Sequence, residues 1–249
     1  MNNIVLSTKG LTKHFGALSA SKNITLDLRV GEIHAIIGPN GAGKSTFISQ
    51  VCGSIKPDNG TVHFLGRDVT QETVRDRAQA GLARSFQISA LAMEDSVLQN
   101  ALLGALGASR NPWRFLSPAL GNKMLVEQAK HALDRVGLSD HANKRASELS
   151  HGQRRQLEVG IALTLSPKAF VMDEPMAGLG FEGSMKMTSF LNRLRQEAPI
   201  LLVEHDMEAV FALADRISVL VYGEVIATGT VEEIRADPYV RDAYLGEEL

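Results

Sequence analysis

Gly38-Pro39-Asn40-Gly41-Ala42-Gly43-Lys44-Ser45-Thr46 is the stretch from which the rest of this chain can be read. It satisfies every fixed position of G-x-x-x-x-G-K-[ST], the pattern of a loop that cradles phosphate. The apolar run Ile33 to Ile37 before it predicts a strand, and Gly43 to Val51 predicts a helix. That strand–loop–helix context makes the match a site. Glycines let backbone N–H groups approach phosphate oxygens with no Cβ in the way. A helix N-terminus adds free N–H donors and a positive dipole end. Lys44 would bring a full charge to the β- and γ-phosphates, and Ser45 a hydroxyl to Mg²⁺. The candidate phosphate contacts are therefore Gly38, Asn40, Gly41, Ala42, Gly43, Lys44, Ser45 and Thr46. The competing interpretation, a Gly-rich turn before a core helix, does not require this spacing.

Working outward, the 249 residues suit one large domain or a core with an attached subdomain. A net charge of −2 gives no sign of the basic face that non-specific nucleic-acid binding needs. The single cysteine, Cys52, excludes an internal disulfide and fits a reducing compartment. It reads as a small buried hydrophobe. The longest uncharged run, Ser96 to Ser109, is shorter than the ~20 residues a membrane span needs. The N-terminus lacks the basic start and apolar stretch of a signal peptide. The expectation is a cytoplasmic protein that reaches a membrane only through partners.

The first third reads β-rich, with strands over Ile4–Leu6, Ile24–Arg29, Ile33–Ile37 and Thr61–Leu65, and a short surface helix over Glu72–Ala80. From about Ser89 to Ala146 the chain is rich in Ala and Leu and poor in β-branched residues. This predicts a helical subdomain with an irregular insertion near Trp113. Leu125, Ala129, Leu133 and Val136 share one face of a helix over Met124–Val136. Beyond Gly152, helices over 153–165, 182–196 and 207–214 alternate with strands over 169–172 and 200–203. A hairpin follows across Gly223, then two short terminal helices over 231–235 and 240–245. Alternation of this kind implies an α/β fold with a mostly parallel sheet covered on both faces. The seven histidines show no zinc-ligand spacing.

Ala169-Phe-Val-Met172 runs into Asp173-Glu174, a hydrophobic strand ending in two carboxylates. Mg²⁺ takes hard oxygen ligands and keeps several waters, so Asp173 is the candidate anchor. Glu174 can accept a proton from attacking water. Alone this is weak evidence, because many strands end in surface acids; after a full phosphate loop it carries weight. Leu149-Ser150-His151-Gly152-Gln153 precedes another helix. Ser150 could cap it, leaving a second helix-terminal anion site that would serve a nucleotide held by another subunit. On these residues alone an ordinary capped helix is the favoured explanation of the segment.

The segment resembles the signature motif of the ATP-binding cassette (ABC) family, and the resemblance covers essentially the whole chain. It implies the P-loop NTPase fold of ABC ATPases: a mostly parallel core sheet, an N-terminal antiparallel β subdomain and an inserted α-helical subdomain. Residues 1–249 would form one such domain, with 1–87 and 152–249 as core and β subdomain and 88–151 as helical subdomain. Phe15 matches the aromatic that stacks on adenine. Gln87, in Arg-Ser-Phe-Gln, matches the glutamine that reaches Mg²⁺ and the attacking water. His205, in Val-Glu-His-Asp, matches the histidine that contacts the γ-phosphate. Ser150, Gly152 and Gln153 match the signature residues. The resemblance thus implies Glu174, His205, Gln87 and Lys44 as catalytic groups, and Ser45, Gln87 and Asp173 around the metal.

Two departures stand out. His151 replaces the commoner first glycine of the signature, and Gly180 stands where the family usually has Asp or Asn, a residue that ties two nucleotide sites together. Weakened coupling between sites, or compensation by a paralogous partner, is the expectation from Gly180.

Within the family, Ala83-Arg-Ser-Phe-Gln87, Leu149 to Glu158, Glu204-His-Asp-Met207 and Ala243-Tyr-Leu-Gly-Glu247 are similar to the ATPase subunits of branched-chain amino acid importers. That group also serves urea and short amides. The resemblance implies ATP and Mg²⁺, a homodimer or a heterodimer with a paralogous ATPase, two membrane permeases and, indirectly, an extracytoplasmic solute-binding protein, with no nucleic acid. It places the chain in the cytoplasm, on the inner face of the membrane. The alternatives are a lipopolysaccharide-export-type ATPase, whose ending is similar, or a soluble non-transport ABC ATPase. A GTPase would show Asn-Lys-x-Asp, which is absent from the sequence.

Overall fold

The computed structural model describes residues 3–84, 91–108 and 121–242. Gln87, the insertion around Trp113 and the ending from residue 243 lie outside the described residues.

Two sheets form. An antiparallel sheet of order β2-β1-β4-β5 is built from β1 (Ile4–Phe15), β2 (Leu18–Arg29), β4 (Asn59–Phe64) and β5 (Arg67–Asp68). The core sheet has the order β10-β9-β3-β8-β7-β6. Its strands are β3 (Ile33–Ile37), β6 (Leu82–Arg84), β7 (Ala169–Asp173), β8 (Ile200–Val203), β9 (Arg216–Val221) and β10 (Glu224–Gly229). Neighbouring core strands pair in parallel except the β9–β10 hairpin. The helices are α1 (Lys44–Cys52), α2 (Val74–Ala80), α3 (Val97–Ala108), α4 (Lys123–Arg135), α5 (His151–Leu163), α6 (Phe181–Leu194), α7 (Met207–Leu213), α8 (Val231–Ala236) and α9 (Pro238–Val240).

Every residue of β3, β7 and β8 is buried, as central strands covered on both faces must be. Alternation along each strand sorts its side chains between two cores. Phe170 and Met172, with Ile200 and Leu202, pack against α6 and the helices α3–α5. Ala169 and Val171, with Leu201 and Val203, pack against Phe47, Ile48 and Val51 of α1 and the antiparallel sheet. Asp173 continues the second set, so it faces the α1 side. A third cluster joins Ile37 and Val219 to Val210, Ile234 and Val240.

Two sequence expectations change. β1 and β2 run to 12 residues each, because antiparallel pairing carries their polar, bulged halves beyond the apolar cores Ile4–Leu6 and Ile24–Arg29. The expected surface helix over Glu72–Ala80 begins at Val74, and it is not wholly a surface element. Arg77 is fully buried beneath it. Its guanidinium donates to the carbonyls of Gln50 (2.8 Å), Val51 (2.5 Å) and Thr70 (2.9 Å), closing the C-terminus of α1. A positive charge there also complements the helix dipole. Cys52 is buried, as its sequence context suggested, and burial pushes its thiol up to about 12.

Candidate active site

Because β3, β8 and β7 lie side by side and run parallel, their C-terminal ends open on one edge of the sheet. In open α/β sheets this is where ligands bind. Ile36, Val203 and Asp173 are in register across the three strands. The loop 38–43 therefore follows β3, Glu204 and His205 follow β8, and Asp173 and Glu174 end β7. Residues as far apart in the chain as Gly38 and His205 are thus assembled by strand order.

The phosphate loop is pressed from both sides. Gly38 has φ +149°, and a Cβ there would lie 2.0 Å from the Leu220 carbonyl oxygen. Gly43 has φ +102°, and its Cβ would lie 2.2 Å from the carbonyl oxygen of Ala20. Only glycine fits either place. The β9–β10 turn anchors the same loop, with the Gly223 N–H donating to the Ala42 carbonyl (2.8 Å). Lys44 is buried, and its Nζ donates to the carbonyls of Gly38 (2.5 Å) and Pro39 (3.0 Å). Burial lowers its pKa, while Glu174 and Asp173 oppose that shift. Asn40, Gly41 and Ser45 are exposed at the loop's mouth; Ala42 is buried and Thr46 half-buried.

Asp173 is 2% exposed. Burial raises its pKa, Glu174 beside it adds to the rise, and Arg84, Lys44 and His205 counter it. Glu174 sits in the left-handed region at φ +50°, uncommon for a side-chain-bearing residue and characteristic of functional sites. Its backbone N–H donates to the Val203 carbonyl (2.8 Å). Its Oε1 meets His205 Nε2 at 2.9 Å. The structure thus brings together Lys44, Asp173, Glu174 and His205. A buried carboxylate beside a lysine and a second carboxylate, with the Ser45 hydroxyl on the neighbouring helix, is a hard-oxygen donor set that fits Mg²⁺.

Phe15 stands half-exposed at the end of β1, with Lys13 Nζ 5.7 Å from its ring centre. Asp58 holds that end by accepting from Lys13 Nζ (2.6 Å) and the His14 N–H (2.7 Å).

Ser150, Gly152 and Gln153 are not part of this assembly. They open α5, which packs on α3 and α4 in a different core from α1. Ser150 and Gln153 form a capping box: Ser150 Oγ accepts the Gln153 N–H (3.3 Å), and Gln153 Oε1 accepts the Ser150 N–H (3.0 Å). The loop after Glu174 lies against this helix start. A Cβ on Gly152 would be 3.6 Å from Leu179, and one on Gly178 would be 3.8 Å from the His151 ring.

Sequence reasoning passed over Glu204. It is 3% exposed and accepts three backbone N–H groups, from Met176 (2.6 Å), His205 (2.9 Å) and Asp206 (3.5 Å). The available signal was its place between an apolar strand and a candidate histidine. Among the described residues no helix is long and apolar enough to cross a membrane.

A phosphate loop after one parallel strand, with two carboxylates and a histidine at the ends of its neighbours, defines a nucleoside triphosphatase of the P-loop class. A family model described as "ABC transporter" matches residues 21–177, and one described as "Branched-chain amino acid ATP-binding cassette transporter" matches residues 224–249. The high-affinity branched-chain amino acid transport ATP-binding protein LivG of Salmonella typhimurium is 37% identical over 99% of this chain and 100% of its own length. BraF of Pseudomonas aeruginosa, described in the same words, is 34% identical over 99% of this chain and 100% of its own. Among solved structures, an ATP-binding cassette of an ABC transporter in its ADP conformation superposes with TM-score 0.87 at 32% identity, covering 98% of this chain and 99% of that one. A nucleotide-free cassette gives 0.86 at 31%, covering 97% and 98%. The chain belongs to the ABC transporter family, as an ATP-binding protein of the branched-chain amino acid type.

Proposed function

We infer that this chain is the ATP-hydrolysing subunit of an importer for branched-chain amino acids, and that it drives transport through separate permease subunits. The observation that carries the mechanism is the convergence of Lys44, Asp173, Glu174 and His205 on one sheet edge. Family membership supplies the nucleotide and the solute class.

In this reading the loop from Gly38 to Thr46 holds the phosphates of ATP, and Phe15 stacks on adenine. Glu174 takes the proton of the attacking water as that oxygen bonds to the γ-phosphorus and the bond to the β-phosphate oxygen breaks. His205, held to Glu174, and Lys44 stabilise charge on the γ-phosphoryl oxygens. Ser45, Asp173 and, by family resemblance, Gln87 would hold Mg²⁺, which neutralises phosphate charge when bound.

A companion ATPase subunit, identical or paralogous, presents its own Ser150, Gly152 and Gln153 to the same nucleotide. The capping box leaves other first-turn N–H groups of α5 to face that anion. The helical subdomain, residues 88–151, passes the motion to two permeases, and a solute-binding protein on the far side delivers the amino acid. The protein then works in the cytoplasm, at the inner membrane face.

The test is a pair of variants assayed for turnover and for nucleotide binding. Glu174→Gln should cut ATPase turnover by ~10²–10⁴ while ATP still binds. Lys44→Ala should instead weaken nucleotide affinity, because it removes a charge–phosphate contact. Near-normal turnover in Glu174→Gln would overturn the base assignment.

A further inference from the structure

Glu204 has no place in the reaction as described, yet its position is costly. A buried carboxylate loses its hydration, and among the described residues Glu204 joins no ion pair. Burial raises its pKa, against three backbone hydrogen bonds that lower it; nearby Glu174 raises it further. An apolar side chain would fill the same volume without that cost. What it could not do is accept hydrogen bonds from two loops at once.

Those two loops are the ones that carry the pair at the sheet edge. Oε1 accepts the N–H of Met176, two residues beyond Glu174, at 2.6 Å. Oε2 accepts the N–H of His205 itself at 2.9 Å and that of Asp206 at 3.5 Å. Glu174 is in a sparsely populated backbone conformation, φ +50°, which persists only where the surroundings fix it. It is fixed on one side by its own N–H to Val203 and on the other by the bond from Met176 to Glu204. Both anchors come from the end of β8, the strand that leads into His205. One carboxylate therefore sets the backbone beneath both members of the 2.9 Å contact between Glu174 and His205.

We propose that Glu204 is a positioning residue for ATP hydrolysis, a backbone clamp that holds Glu174 and His205 in mutual register without touching nucleotide. The proposal rests on the reading that Glu174 and His205 serve hydrolysis, and the experiment separates the two.

Glu204→Gln keeps the side-chain volume but turns an NH₂ group toward one of the two sets of N–H donors. Turnover should fall about tenfold or more, given that misplacing a reacting group by ~1 Å can cost ~10²-fold. Nucleotide Kd should stay within about twofold, since no phosphate contact is removed. In a Glu174→Gln background the same change should alter the residual rate by less than about twofold, because the carboxylate–imidazole pair that Glu204 holds in register is already broken. A purely structural role would lower both backgrounds by the same factor. Unchanged turnover in folded Glu204→Gln, or equal losses in the two backgrounds, would overturn the proposal. Should Glu204→Gln fail to fold, Glu204→Asp is read by the same criteria, since it keeps the charge but withdraws the carboxylate from Met176. If Glu174→Gln alone retains full activity, the underlying mechanism falls; if it is inactive while Glu204→Gln is fully active, only the clamp falls.

Discussion

His205 Nε2 lies 2.9 Å from Oε1 of Glu174, although the two residues are 31 positions apart and end different strands. The contact follows from β7 and β8 being parallel neighbours, with Asp173 in register with Val203. It orients the carboxylate that would accept the proton and the imidazole that would face the γ-phosphate.

His205→Ala should therefore reduce ATP turnover by ~10²–10³, the range for removing a preorganised electrostatic group. ATP affinity should change far less, because Lys44 and the glycine loop remain. Parallel turnover and nucleotide-binding titrations would separate the two effects. Equal losses in both would mean that His205 acts in binding.

Gly180 is the N-cap of α6, at φ −69° and ψ 172°, with no side-chain cap and nothing within 4 Å of where its Cβ would stand. Aspartate fits this backbone without strain. Gly180→Asp should stabilise α6 by a few tenths of a kcal/mol, the difference between Gly and Asp as N-cap. Restoring the family's usual acceptor should also strengthen coupling between paired sites, seen as a steeper dependence of ATPase rate on ATP. An unchanged rate and an unchanged steepness would sink the idea that Gly180 loosens the coupling.

His34 is fully buried, with Nδ1 2.7 Å from the Asp27 carbonyl and Nε2 2.8 Å from Ser218 Oγ. Burial, then the facing Arg216 guanidinium, push its pKa down from 6.5 to about 4; the Asp27 carbonyl and carboxylate resist and Arg29 adds to the fall. Below its unfolded value the unfolded chain takes up a proton that the folded chain refuses. Stability is thus intact above 6.5 and lost as pH falls toward 4. Between about pH 7.5 and about pH 5 this one group should cost ~2 kcal/mol. Urea midpoints across that window should fall in the wild type, and His34→Gln should remove that part of the slope.

Arg77 closes the helix that carries Lys44 by bonding three carbonyls from a buried position. Burial lowers its pKa, although Cys52, Glu72 and Asp68 oppose this. Arg77→Met should destabilise the protein by about 1–3 kcal/mol through orphaned carbonyls. Arg77→Lys should recover little, since a single ammonium lacks the planar fork that spans Thr70 and Gln50. Denaturant unfolding of the three proteins checks the order.

The parts of this protein written in local sequence were the parts with local causes. The nine residues from Gly38 to Thr46 announce their loop because glycine conformation and a helix start are short-range matters. The mostly apolar run of β3, interrupted only by His34, and the all-apolar run of β8 announce buried strands, and both were found at their expected bounds, Ile33–Ile37 and Ile200–Val203. β6 was not visible, because three residues show no periodicity and their strand state comes from pairing with β7. Arg77 and Glu204 were hidden for a related reason. A charge in a short helix, or after a strand, reads as surface until something distant encloses it.

Composition, the phosphate loop and the spacing of its companion motifs thus determined the class of chemistry and the alternation of strands and helices. Strand order could not be read from them. That β8 inserts between β3 and β7 is a long-range outcome of which faces bury together, and it alone brings Lys44, Asp173, Glu174, Glu204 and His205 to one edge. Hydrogen bonds between strands far apart in the chain, and the burial they enclose, set that arrangement.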